Sequence, residues 1–172
     1  DYARTCAAKK ARSYAKQIKM PQFQVDMKSF YAQGKMLFEM YAKNCDTVYM
    51  AIVPMSNKEF TSYPNFVKKN VVYETVIPIA NTHLYRTDTL VDFLPELPLG
   101  TYCVWTSLMP FPEKMVTSKQ SFQIVKKNFI HVTNIYCVEN KRNGKVQLWI
   151  TDRRTGEPME GVQVKVDSEA GH

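Results

Sequence analysis

The residues best suited to metal ligation or nucleophilic catalysis in this 172-residue chain are four cysteines and three histidines. Cys6, Cys45, Cys103 and Cys137 are spread too widely for a Cys-x-x-Cys pair or any zinc spacing, and His83, His131 and His172 do not cluster with them. Gly-x-Ser-x-Gly, His-Glu-x-x-His, a phosphate loop and Gly-x-Gly-x-x-Gly are all missing. A Cys–His nucleophile assembled from distant positions stays open, with nothing to favour one pair. The expectation is a protein that is not an enzyme, with no catalytic, cofactor-binding or metal-binding residue and no cofactor. Four cysteines allow three disulfide pairings in an oxidising compartment, and they serve equally as small buried hydrophobes.

The most informative stretch is Leu94-Pro95-Glu96-Leu97-Pro98-Leu99-Gly100-Thr101-Tyr102. A leucine, a glycine-bearing turn and a tyrosine starting a strand form the pattern of a tyrosine corner, in which the phenol bonds backbone a few residues upstream. A catalytic phenol would need a neighbour to lower its pKa, and the sequence offers none. Cys103 and Trp105 then fall on the strand face opposite Tyr102. Trp105 is expected in a core or an interface; if it and Trp149 were exposed with several of the ten tyrosines, they would form a ligand platform. Asp152 is expected to cap a turn, the alternative being a calcium or catalytic carboxylate.

The net charge of +7 suggests a polyanion partner until it is located. Residues 1–20 hold Arg4, Lys9, Lys10, Arg12, Lys16 and Lys19 against Asp1, a balance of +5; the rest carries 17 basic against 15 acidic residues. Ala7, Ala11, Tyr14, Ala15 and Ile18 recur at helical spacing over Thr5–Lys19, with Thr5 as N-cap and Pro21 as the stop. No aromatic residues interleave with the charges as stacking platforms, so a solvated face of a helix packed on a neighbour is expected, not a nucleic-acid surface. No apolar run reaches the ~18 residues of a spanning helix.

After Pro21 the period falls from 3.6 to 2. Phe23, Val25 and Met27 alternate with polar residues, and strand-like runs follow at 36–42, 47–54, 71–78, 101–108, 120–126, 129–138, 145–151 and 161–166. Asn143-Gly144 is a hairpin signal, and Thr155-Gly156-Glu157-Pro158 with Gly161 reads as a second turn. Short strands without an intervening helix predict a mainly β fold, an immunoglobulin-like antiparallel β-sandwich with a short N-terminal helix. Strand counting divides the chain into a basic helix (1–21), a sandwich (22–128) and a partial second sandwich (129–172), too few strands to close. The chain is thus expected to end inside that second domain, leaving a sheet edge prone to pairing.

Four segments carry a family resemblance: the helix ending Ile18-Lys19-Met20-Pro21, the pair around Tyr41-Ala42-Lys43-Asn44-Cys45-Asp46-Thr47-Val48-Tyr49, the Leu-Pro-x-Leu-Pro-x-Gly-x-Tyr corner, and Thr151-Asp152-x-x-Thr155-Gly156-x-Pro158-x-x-Gly161-Val162-x-Val164. In that order they resemble the N-terminal macroglobulin-like domains of large bacterial alpha-macroglobulins, particularly those of Bacteroidetes. The resemblance implies a non-catalytic structural or interaction module of a multidomain cell-envelope protein, periplasmic or associated with the outer membrane, whose family traps proteases after cleavage of a bait segment. Its implied partners are other domains of the same parent chain and, through the parent, proteases. The family's Cys-Gly-Glu-Gln thioester signature is absent here, because no cysteine is followed by glycine.

Overall fold

A computed structural model describes residues 5–56, 65–80, 85–115 and 125–164. The chain separates into two compact units, residues 1–132 and 133–172.

The first unit opens with helix α1 (Cys6–Lys19), where Thr5 Oγ1 accepts from the Ala8 amide at 3.2 Å as the expected N-cap. The helix stops at Pro21. Ala8 is its buried residue; Tyr14 and Ile18 are exposed, so the apolar stripe expected to pack on a neighbour is open within this unit. What holds the helix end is Asn44, whose Nδ2 donates to the carbonyls of Ile18 (2.7 Å) and Met20 (3.3 Å).

Strands β1 (Gln22–Met27), β2 (Phe30–Tyr31), β3 (Met36–Lys43), β4 (Thr47–Met55), β5 (Phe66–Val67), β6 (Tyr73–Pro78), β7 (Asp88–Leu94), β8 (Gly100–Ser107), β9 (Lys114–Met115) and β10 (Val125–Val132) complete the unit. They form a three-stranded sheet, β1-β3-β7, and a five-stranded sheet, β2-β10-β8-β4-β6, with β5 and β9 as a small separate pair. Pairing is antiparallel except between β2 and β10. Alternation decides the layers: Met36, Phe38, Met40 and Ala42 of β3 turn inward with Phe23 and Val25 of β1, against Val48, Met50, Ile52, Tyr102, Val104, Ile130 and Val132.

A second core lies on the far side of the five-stranded sheet, where Ala51, Val53, Cys103, Trp105 and Val125 meet Phe66 and Phe111. Strands β4 and β8 are therefore buried on both faces along most of their length, and their sequences run mostly apolar instead of alternating, with Thr106 and Ser107 as buried polar exceptions.

Several expectations need correction. Strand β7 was not expected at all. The run 129–138 is two strands: β10 pairs with β8 from Val125–Ser107 to Val132–Gly100, and Ile130 and Val132 enter the core, so the first unit extends to Val132 and not 128. The run 71–78 starts at Tyr73, because Val71 closes a 3-10 turn by donating to the Lys68 carbonyl at 3.0 Å. Of the run 120–126, residues 120–124 lie outside the described residues, as do His83 and His172.

The second unit is a hairpin, β11 (Ile135–Arg142) and β12 (Lys145–Asp152), in full register from Ile135–Asp152 to Arg142–Lys145. Its turn is Asn143-Gly144 as expected, both at positive φ (53° and 72°), the left-handed conformation a two-residue hairpin turn requires. No strand forms over the described part of the run 161–166, residues 161–164; after the next turn the chain makes only a bridge between Thr151 and Pro158.

Candidate interaction surfaces

Tyr102 sits at a tyrosine corner. Its hydroxyl donates to the Pro98 carbonyl at 2.9 Å while the ring packs in the main core, and burial pushes the phenol pKa up, away from any acid–base role near neutrality. Tyr31 makes a comparable latch that the sequence did not reveal. Its hydroxyl accepts from the Lys28 amide (3.0 Å) and donates to the Leu37 carbonyl (2.5 Å), tying the turn between β1 and β2 to the start of β3. The phenol is again pushed up by burial, with the Lys28 amide opposing.

Cys103 and Trp105 occupy the face opposite Tyr102 and both are buried in the second core. Trp105 is 1% exposed, meets Phe66 edge-on at 5.4 Å and carries the Lys127 ammonium 4.3 Å above its ring. That cation–π contact lets a lysine roof an indole while its stem covers apolar surface. Burial lowers the Lys127 pKa and pushes the Cys103 thiol up to about 12, with Lys127 drawing the thiol the other way. A thiol held protonated in this way is packing, not a nucleophile.

Cys45 and Cys103 are buried, whereas Cys6 and Cys137 are exposed. Among the described residues no group of three or more His, Cys, Asp or Glu is placed to hold a metal ion. His131 stacks on Phe30 at 5.0 Å, with Nδ1 3.0 Å from Thr101 Oγ1. Asp152 caps its turn: Oδ1 accepts from the amides of Arg154 (2.8 Å) and Thr155 (2.9 Å), bonds that hold the carboxyl below its ordinary pKa.

The hairpin exposes two rings beside other apolar side chains. Tyr136, Val138 and Trp149 share one face, since Val138 is paired with Trp149 and Tyr136 with Thr151, and the Arg153 guanidinium lies 4.9 Å from the Tyr136 ring. Ile135 and Val146 stand exposed on the other face. Trp105 is in a core as expected, and the platform that would have needed both tryptophans exposed does not form, since the two have opposite environments. The described basic residues of α1 (Lys9, Lys10, Arg12, Lys16 and Lys19) are all exposed. No described helix is long and apolar enough to cross a membrane.

No family model matches the chain, and no curated protein sequence matches it. Solved structures do share its fold. Native alpha-2-macroglobulin from Escherichia coli, spanning domains MG0-NIE-MG1, aligns with a TM-score of 0.55 at 10% identity, covering 80% of this chain and 48% of that fragment. The fragment spanning NIE-MG1 aligns at 0.50 and 13% identity, over 80% of this chain and 73% of its own length. The chain therefore spans about half of the larger fragment. At such identities the likeness is one of fold: a mainly β, macroglobulin-like sandwich with one helix at its N-terminal end.

Proposed function

We propose that the chain is a non-catalytic structural and interaction module of an alpha-macroglobulin-like, protease-trapping protein of the cell envelope, of the Bacteroidetes type. The observation that carries this reading is the alignment of four-fifths of the chain with fragments of one macroglobulin. The residues favour it too: the polar groups that looked most chemical, Tyr102, Cys103 and Asp152, are engaged in a corner, a core and a turn. The hairpin, apolar on both faces, is then the start of a second sandwich whose further strands cover it, so its partners are other domains of the same parent chain.

An antiserum raised against these 172 residues tests this in the native source. The expected result is one polypeptide far larger than 19.9 kDa in the envelope fraction, and no turnover of fluorogenic peptide or ester substrates by the isolated chain. A soluble species near 19.9 kDa, or active-site-titratable hydrolysis, would overturn it.

Trp149, 57% exposed beside Tyr136 and Val138, favours one second reading, a carbohydrate- or protein-binding sandwich. Trp105 contributes nothing to such a platform. Saturable quenching of Trp149 fluorescence by a soluble glycan, lost in Trp149→Ala, would promote it.

A further inference from the structure

The open seam between the two sheets of the first unit has the composition of a strand-addition site. Among the described residues β6 and β7 are terminal in their sheets, β6 bonded to β4 and β7 to β3. The opposite side is closed differently, with Asn128 Nδ2 of β10 donating to the Val25 carbonyl of β1 at 3.1 Å. Two clefts follow one another along β7. One, of about 120 Å³, is lined by Phe38, Ile77, Asp92, Phe93 and Leu94; the other, of about 250 Å³, by Ala42, Ile79, Asp88 and Leu90.

Register fixes what faces the seam. Asp88 pairs with Ala42 and Asp92 with Phe38, both core residues, so two carboxylates lie on the core-side face of the edge strand with Leu90 between them, Asp88 half-buried and Asp92 exposed, its Oδ1 accepting from the Phe93 amide at 2.7 Å. Asp88 Oδ2 is buried without a hydrogen-bond partner among the described residues, a donor that this edge lacks. On the outer side Val91 and Phe93 are exposed, with Val76 of β6 across the seam. Inward charges on an edge strand discourage pairing with a like edge. They also define the strand that would fit.

We infer that β7 is a docking edge for an extended peptide segment of the pattern basic-x-apolar-x-basic, added as a strand. In a paired strand the residues opposite Asp88, Leu90 and Asp92 project to the same face, and the two carboxylates stand ~13 Å apart at ~3.3 Å per residue. Lysine or arginine at positions i and i+4 meets them, and an apolar residue at i+2 covers Leu90. The inference concerns this edge alone and does not rest on the macroglobulin reading.

The test is an anisotropy titration of the 172-residue chain with a fluorescein-labelled nonapeptide centred on Lys-Thr-Val-Thr-Lys. The expected result is saturable binding at low salt, about tenfold weaker for the double variant Asp88→Asn, Asp92→Asn and for a Glu-Thr-Val-Thr-Glu peptide. Binding is abolished by N-methylation of alternate peptide amides, and hydrogen exchange slows along residues 88–94 when the peptide binds. Binding that ignores the Asp→Asn changes or the N-methylation, or none at millimolar peptide, overturns the inference. So does protection of β7 that grows with protein concentration alone, which would assign the edge to a second copy.

Discussion

Strands β8 and β12 are each eight residues long and each carries a tryptophan near its middle, yet Trp105 is 1% exposed and Trp149 57%. Both strands have strong β-formers and full cross-strand register. The difference lies in what stands above and below them. β8 is flanked by β4 and β10 and sandwiched between two cores, whereas β12 has β11 as its strand partner and presents apolar residues outward. Local sequence makes a strand; a second layer makes it a core element, because a two-stranded hairpin cannot bury both of its own faces.

Four measurements break or sharpen that contrast. The largest effect is expected at Trp105: replacement by alanine removes an indole from a packed site and costs ~3–5 kcal/mol in urea unfolding. A loss below 1 kcal/mol would mean that the second core does not hold. Next comes alkaline sensitivity. Cys103 keeps its proton to about 12 in the folded chain against 9.0 for an ordinary thiol, so its contribution is complete below 9.0 and is lost as pH rises through that window. Midpoint denaturant concentrations are expected to fall from pH 9 to 11, less so in Cys103→Ala, while a thiol reagent at pH 8 labels Cys6 and Cys137 long before the buried pair.

A smaller effect is expected from Tyr102→Phe, which keeps the ring and deletes the donation to Pro98; ~1 kcal/mol is the usual value of such a bond, and a neutral result would reduce the corner to ring packing. The smallest belongs to Trp149→Ala, within ~0.5 kcal/mol in this chain. The same substitution in a longer parent, with further strands laid over the hairpin, should cost several times more, and equality between the two would contradict the proposed second sandwich.

Features decided within a few residues were legible in the sequence: the Thr5 cap, the Asn143-Gly144 turn, the Tyr102 corner and the Asp152 turn. Strand β7 was not, for a specific reason. Its core-side register positions hold Asp88 and Asp92 where alternation calls for apolar residues, so the period-2 signal is broken by the residues that give the edge its chemistry. The boundary near 129 was misplaced because Thr133 and Asn134, which separate β10 from β11, lack the glycine or proline that usually marks a break. The face of Trp105 was readable from alternation, but its depth was not, since Phe66 and Phe111 that cover it arrive from distant segments.

Asn44 has a topological weight that its half-buried position hides. Its one side-chain amide donates to the end of α1, 26 residues back, and accepts from the Tyr85 amide, 41 residues ahead. It therefore closes two long chain loops at one point, and its own backbone sits at a φ of 53° that asparagine tolerates better than most residues. Beside the covalent Met20-Pro21 link to β1, this carboxamide thus gives the helix end a second tie to the sheets, one that replacement of a single side chain would cut.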